Sequence, residues 1–341
     1  MSVTTARSVG PLPPVERVRP GIWSIPVPIP NNPLRYVLVY LFETDVGPFI
    51  VDAGWNTDDA FDTLSAGLSQ AGTDVAEVQG VLVTHIHPDH YGLAGRVREA
   101  SGAWVALHPA DAKLIQDRYV EPDDLLARVG AMLRRVGAPA EELSSLQRAS
   151  MPVLPFVSAV EPDVLMEDGT RPEVPGWELL AIWTPGHSPG HLCFREPRHE
   201  LMLSGDHVLP RITPNIPFHP QAGADPLGDF LTSLDRVAGF PTAEVLPAHE
   251  HRFVGLPERV AELRAHHEQR FAEVVAAVER GVTSAWDIAS QMTWSRPWGR
   301  IDGFMRRAAV GEAMAHLRAL QARGVLREVN GEPARWELVD R

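Results

Sequence analysis

The chain has 341 residues, of which 44% are hydrophobic, 22% charged and 7% aromatic. These proportions exclude collagen-like, disordered and coiled-coil chains, and the length suits one large domain or a main domain with a smaller partner. The net charge of −13 disfavours a polyanionic partner, and no apolar run approaches the roughly 18 residues that a membrane helix needs.

Met1 to Val15 contain Arg7 and three prolines but no apolar h-region, so a secretory signal is not expected and the cytoplasm is the expected compartment. Strand-like runs follow at Gly21–Val27, Tyr36–Glu43, Pro48–Val51 and Gly80–Thr84, with a helical pattern over Thr57–Ala71 before the last of them. After a histidine-rich stretch come a helix over Leu93–Ala100, a strand over Ala103–Leu107 and a helix starting near Pro109. That last helix carries Lys113, the only lysine, on what reads as a solvated face. Residues 118–150 read as a helical insertion, with leucines and valines at three-to-four spacing over Glu121–Leu146 and a break at Gly137–Pro139.

Strands resume at Trp177–Trp183, His191–Arg195 and Glu200–Leu203, followed by a helix over Asp225–Val237 and a strand over Glu244–Leu246. The single cysteine, Cys193, sits in His-Leu-Cys-Phe-Arg and reads as a buried strand residue rather than a nucleophile, because a reactive thiolate needs an electropositive setting. Two β-rich halves with helices between them predict an α/β fold, a layered αββα sandwich, over residues 1–255. Residues 256–341 change texture: helices are expected over Pro257–Arg280, Ser284–Met292 and Ile301–Arg323, then a hairpin of Val325–Val329 and Arg335–Val339 turning at Asn330-Gly331. Three helices followed by a hairpin form a winged-helix-like pattern, and Ser284 with Asp287 three residues on predicts a capping box.

The chemistry concentrates in Thr84-His85-Ile86-His87-Pro88-Asp89-His90, directly after an apolar strand. Residues two apart in an extended loop project to one side, so His85 and His87 can serve one metal while Asp89 and His90 face a second. Further donors stand at the ends of later strands: His187 in Thr-Pro-Gly-His, Asp206 in Ser-Gly-Asp-His and His249 in Leu-Pro-Ala-His. Donors placed repeatedly at strand ends converge on one rim of a sandwich.

Together, Val51-Asp52-Ala53-Gly54, the 84–90 motif, Thr-Pro-Gly-His-Ser-Pro-Gly-His at 184–191, Ser-Gly-Asp-His at 204–207 and Pro-Ala-His at 247–249 resemble the metallo-β-lactamase superfamily over roughly residues 20–255. The resemblance implies that His85, His87 and His187 hold one metal, that Asp89, His90 and His249 hold another, and that Asp206 bridges them. It implies two Zn²⁺ ions per chain, with Fe or Mn also compatible, and a bridging hydroxide as nucleophile. It places Asp52 behind the ligands, orienting them, and His191 in a structural role. Asp89, His207 and His251 are the candidate catalytic residues: Asp89 holds the nucleophile, and the two histidines are candidate proton donors to the leaving group.

His87 stands where flavodiiron-type proteins carry glutamate, and Asp206 stands where many β-lactamases of this fold carry cysteine. The remaining pattern is that of glyoxalase II, lactonases, thioesterases and the superfamily's nucleases. Residues 256–341 hold 13 arginines against 12 acidic residues, which leaves residues 1–255 at a net charge of about −14, a poor surface for a polyanion. The loop Leu209–Gln221, rich in proline and apolar residues, flanks the expected metal rim and favours a substrate with a hydrophobic portion. The expected activity is therefore hydrolysis of a small acyl thioester, ester or lactone. A phosphodiesterase or endoribonuclease is the first alternative, since the C-terminal segment resembles that of the β-lactamase-like protein 2 group. A catalytically inactive, metal-binding regulator using the winged helix is the second. The expected partner is a small-molecule substrate, without nucleic acid or membrane, and with a homodimer left open.

Overall fold

The computed structural model describes residues 11–339; the leader reading over Met1–Val15 lies largely outside the described residues. Four strands open the chain: β1 (Glu16–Arg19), β2 (Ile22–Pro28), β3 (Tyr36–Phe42) and β4 (Phe49–Val51). β1, Glu-Arg-Val-Arg, is an edge strand with a single apolar residue, so no hydrophobic alternation marks it in the sequence. Helix α1 (Asp58–Gln70) starts where Thr57 accepts a hydrogen bond from the Ala60 N–H, with two aspartates in its first turn. Strand β5 (Gly80–Leu82) then runs into the histidine-rich loop, whose end forms the short helix α2 (Pro88–Tyr91).

Helix α3 (Ala94–Ser101) and strand β6 (Trp104–Leu107) follow as expected. The helix predicted near Pro109 is instead broken into the single turn α4 (Pro109–Ala112) and a π-helical turn over Gln116–Val120. The insertion supplies α5 (Asp123–Val136), closed by Gly137 in the left-handed conformation, and α6 (Leu143–Gln147). Strand β7 (Val164–Leu165) is only two exposed residues and left no pattern to find. The second half contains β8 (Leu180–Trp183), β9 (Leu192–Glu196), β10 (Leu201–Gly205), α7 (Pro226–Ala238) and β11 (Glu244–Pro247). The chain ends in α8 (Leu256–Glu279), α9 (Ala285–Gln291), α10 (Gly303–Ala322) and the hairpin β12 (Leu326–Val329) and β13 (Arg335–Leu338). At the α9 cap, Ser284 accepts from the Asp287 N–H and its hydroxyl donates to the Asp287 carboxylate, a side-chain pair rather than a reciprocal backbone box.

One sheet runs β1 to β7 in sequence order, antiparallel up to β4 and parallel from there; the other runs β11-β10-β9-β8, with only β10–β11 parallel. The period of two decides which side chain faces which layer. Leu38, Tyr40 and Phe42 of β3 face Leu192, Phe194, Leu201 and Leu203 of the other sheet and fill the space between the sheets. Their neighbours Val37, Val39 and Leu41 point the opposite way, against Leu64 and Leu68 of α1 and Val97 of α3. On the outer face of the second sheet, Ile182, Cys193, Met202 and Val245 pack against Phe230 and Leu234 of α7. The result is an αββα sandwich.

That third core does not stop at residue 255. It continues without a break through Leu133 and Val136 of α5, Leu263 and Val274 of α8, Ile288 of α9, Leu317 and Leu320 of α10, and Trp336 of β13. The insertion and the C-terminal segment therefore share one apolar core on one side of the sandwich.

Candidate metal centre

The loops that leave β5, β8, β10 and β11 meet at one rim and bring all seven expected donors together in three overlapping groups: His85, His87 and His187; His85, His90 and Asp206; and Asp89, His90 and His249. Each group's ligand atoms lie within 4.8 Å of one another. In the first group the His87 Nδ1 is 2.9 Å from both the His85 Nε2 and the His187 Nε2. Nitrogens around a tetrahedral ion, each about 2.0–2.1 Å from it, stand roughly 3.3 Å apart, so three imidazoles this close fit one small cation. Asp206, with His85 and His90, joins a first group (His85, His87, His187) to a second (Asp89, His90, His249); in the second the His249 Nε2 is 3.4 Å from the Asp89 carboxylate and 3.2 Å from Asp206 Oδ1, and the His90 Nε2 is 3.7 Å and 3.6 Å from the same two carboxylates. The other Asp206 oxygen, Oδ2, is 3.4 Å from the His187 Nε2, so this carboxylate stands between the two groups.

The far nitrogens fix the rings. His90 Nδ1 pairs with Asp52 at 2.7 Å, His187 Nδ1 donates to the Asn215 carbonyl at 2.8 Å, and His249 Nδ1 donates to the Tyr36 carbonyl at 2.9 Å. Each leaves its Nε2 for the centre. The His90 Nε2, the His249 Nε2 and Asp206 Oδ1 are buried without any hydrogen-bond partner, an arrangement that costs free energy unless a cation receives them. Nitrogen and oxygen donors with no thiolate suit a borderline divalent ion such as zinc. The only cysteine lies in β9 facing the outer core, its thiol pushed up to about 12 by burial.

Electrostatics separate the two groups. Burial and the neighbouring imidazoles hold His85 and His87 well below the usual histidine range, so the first group is neutral. Burial also opposes charge on His90 and His249, but the carboxylates of Asp52, Asp89 and Asp206 outweigh it: His90 is raised well above its usual value and His249 to about 10. Asp206 is held well below the carboxylate range by His249 and His90, which overcome its burial.

Asp52 occupies the orienting position expected of it. It sits at φ +63°, a left-handed conformation unfavourable for a residue with a Cβ, and is held there by the Thr84 N–H and hydroxyl, at 2.8 Å and 3.0 Å, besides His90. His191 is structural: its Nε2 accepts from the Asp206 N–H at 3.1 Å and its Nδ1 meets the Thr184 hydroxyl at 2.8 Å. A Cβ on Gly205 would come within 2.7 Å of that same Nε2, which explains the glycine before Asp206.

Of the two expected proton donors, one is enclosed and the other exposed. His207 is fully buried between His191 and Phe230, ring centroids 5.9 Å and 5.0 Å away, and its side chain does not reach solvent at the rim. His251 is exposed and belongs to none of the donor groups. Conversely, sequence reasoning passed over Asp111. Fully buried, it accepts from the Ile86 N–H at 3.0 Å, the Gly190 N–H at 2.6 Å and the Ser188 hydroxyl at 2.7 Å, tying two donor-bearing loops together. Its segment, Pro-Ala-Asp-Ala, offers no motif; the only local sign is Gly190, where a Cβ would strike the Asp111 backbone at 2.6 Å.

The sequence places this sandwich and its rim in a family: residues 32–249 match the family model of the metallo-beta-lactamase superfamily, to which the chain belongs. With its donor groups, membership makes the chain a metal-dependent hydrolase in general terms. Among curated relatives, the lactamase-like protein adaB of Aspergillus niger is 26% identical over 273 residues, covering 79% of this chain and 67% of that protein. The beta-lactamase-like protein 2 homolog of Caenorhabditis elegans is 21% identical over 95% of this chain and 92% of its own length. Among solved structures, a metallo-beta-lactamase family protein from Thermus thermophilus superposes with a TM-score of 0.80 at 29% identity, over 95% of this chain and 100% of that one.

Proposed function

We propose that this protein is a binuclear zinc hydrolase acting on a small acyl thioester, ester or lactone in the cytoplasm. The observation that carries the reading is the Asp206 carboxylate, which stands between a neutral three-histidine group and an acidic Asp89–His90–His249 group within 3.2–3.6 Å of both. His85, His87 and His187 would hold one zinc and Asp89, His90 and His249 the other, with Asp206 shared. Once bound, the two ions supply an activated water near neutral pH and polarise the scissile carbonyl. The chain's own part is orientation: Asp52 aims His90, the Asn215 carbonyl aims His187 and the Tyr36 carbonyl aims His249. Asp89, 8% exposed, is the carboxylate placed to accept a proton from an attacking water. His207 is enclosed, so the leaving group takes its proton from solvent or from Asp89.

Two features support a small carbonyl substrate over a nucleic acid. Apart from the more open His87, every donor is less than a tenth exposed, so little of the centre is open to a long polymer. The arginines of α10 that would face DNA in a winged helix are engaged within the chain: Arg306 with Glu142, Arg318 with Glu328, Arg323 with Glu268, and Arg307 with the carbonyls of Leu146 and Gln147. The test is a side-by-side panel of thioester, lactone, β-lactam, bis(p-nitrophenyl) phosphate and single-stranded RNA at matched zinc loading. The highest kcat/KM is expected on a thioester, ester or lactone; a higher value on RNA or the phosphodiester would replace this reading by the nuclease one.

A further inference from the structure

Beside the first donor group lies a cluster of positive charge with no carboxylate hydrogen-bonded to it among the described residues. Arg118, on the π-helical turn, makes no hydrogen bond or ion pair through its side chain among the described residues, and its Nη1 is buried. The residue after it, Tyr119, donates to the Ile86 carbonyl at 2.7 Å, which fixes this turn against the loop between His85 and His87. Arg307 enters from the other side, on α10. Its Nη1 reaches the Leu146 and Gln147 carbonyls at 3.2 Å and 3.3 Å, its guanidinium lies 5.4 Å from the Phe304 ring centre, and it pairs with no carboxylate.

The loop between them is pinned at both ends. The Asn215 carbonyl accepts from His187, and the Phe218 N–H donates to the Gly311 carbonyl, one turn along α10 from Arg307. Within this loop the Gln221 N–H donates to the His219 Nδ1 at 3.2 Å, which leaves the proton of that ring on Nε2. Asn215 Oδ1 and Gln221 Nε2 are buried without partners. The three cationic or donor residues feel one another: burial, then Arg118 and Arg307, push His219 down to about 3, and burial, then Arg118, pull Arg307 down to about 10. The charge of Arg118 also reaches His87 and Asp111, but Asp111 is already committed to Ser188, Ile86 and Gly190.

Two half-buried arginines whose charges act on each other and on His219, with no carboxylate hydrogen-bonded to either, are unfavourable in the free protein, and an anion held by both would relieve that cost. We propose that Arg118, Arg307 and the Nε2–H of His219 bind one carboxylate carried on the acyl portion of the substrate, next to His87 and His187. The planar guanidinium fork matches a carboxylate in bidentate fashion. The chain is strongly acidic, which favours a single carboxylate over a polyphosphate or a nucleic-acid backbone. The proposal rests on the acyl-hydrolase reading above, and binding separates its fate from that reading.

The experiment uses the zinc-loaded full chain and measures binding of monomethyl glutarate, dimethyl glutarate, inorganic phosphate and a dinucleotide by calorimetry, together with turnover of glutaryl and pentanoyl thioesters. Wild type should bind monomethyl glutarate and not the neutral diester, and Arg118→Met should weaken that binding by at least about tenfold. Arg118 has no side-chain partner to lose, so this variant tests the pocket without the folding risk of Arg307→Met; Arg327→Met, on β12, serves as the control and should bind as wild type does. Wild type should also prefer the glutaryl over the pentanoyl thioester by about tenfold or more in kcat/KM, a preference that Arg118→Met erases. Turnover of both thioesters without preference, together with equal binding by wild type and Arg118→Met, would overturn the proposal and leave the hydrolase reading standing. Arg118-dependent binding of monomethyl glutarate with neither thioester turned over would sustain the pocket and remove thioesters from the hydrolase reading. Tighter Arg118-dependent binding of phosphate or the dinucleotide would overturn the carboxylate assignment.

Discussion

The rim and the cap of this molecule are held together by different physics. At the rim, the donor loops are fixed by buried polar clamps: Asp52 on Thr84 and His90, Asp111 on Ile86, Ser188 and Gly190, and His191 on the Asp206 backbone. In the cap, α5, α6, α8, α9 and α10 share a continuous apolar core, and arginines stitch it together at its surface. Polar clamps specify atom positions to within a bond length, because an unpaired buried donor is costly; apolar packing tolerates small shifts. In the proposed reading the metal chemistry sits on the first and the substrate wall on the second, so one can vary without the other. The comparison predicts that damage to the rim shows in metal content and turnover, while damage to the cap shows in stability and selectivity.

The largest effect is expected at Asp89. Asp89→Ala should lower turnover on the order of a hundredfold or more, because the residue belongs to the second donor group and, in the proposed reaction, accepts the proton of the attacking water. Near-normal activity with full metal content would remove this role. One layer out, Asp52→Ala should weaken zinc affinity by about 10- to 100-fold, since the His90 ring loses the partner that aims it; competitive chelator titration reads this directly, and wild-type affinity would show that the clamp is dispensable.

In the cap, Leu133 is fully buried, and Leu133→Ala should cost about 2–5 kcal/mol of stability by chemical denaturation with zinc stoichiometry unchanged. Loss of zinc in that variant would show that the two regions are coupled. The smallest effect concerns pH. Glu312 of α10 is pushed up to about 7 by burial, against the pull of Arg270. Its carboxyl therefore holds a proton more tightly in the folded than in the unfolded chain, and its stabilising contribution, full below about 4.5, is lost as pH rises through about 7. Between pH 5 and 8 wild type should lose about 1–3 kcal/mol relative to Glu312→Gln, a range set below the full conversion because the residue is partly exposed. Parallel stability profiles for the two proteins would refute the assignment.

Much of this was legible in the sequence, and for physical reasons. Central strands such as β3 and β10 carry continuous apolar runs, α1 carries its own cap at Thr57, and metal donors cluster because ligand loops follow strand ends. Short or exposed edges, β1 and β7, bury too little to leave a pattern. The role of Asp111 was invisible because its three partners lie 25, 77 and 79 residues away and two of them are backbone groups. The expected proton donors, His207 and His251, were nominated by closeness in sequence to Asp206 and His249. Side-chain direction separates them: His207 turns away from the rim into the Phe230 layer, whereas His251, two beyond His249, is exposed.

The central claim is that the seven donors form two metal sites joined by Asp206, and metal stoichiometry tests it most directly. Zinc-supplemented protein, desalted and measured by elemental analysis, should carry about two equivalents per chain, and His249→Ala, which removes a donor from the second group only, should carry about one. Less than about half an equivalent in wild type, or two equivalents retained in His249→Ala, would contradict the account.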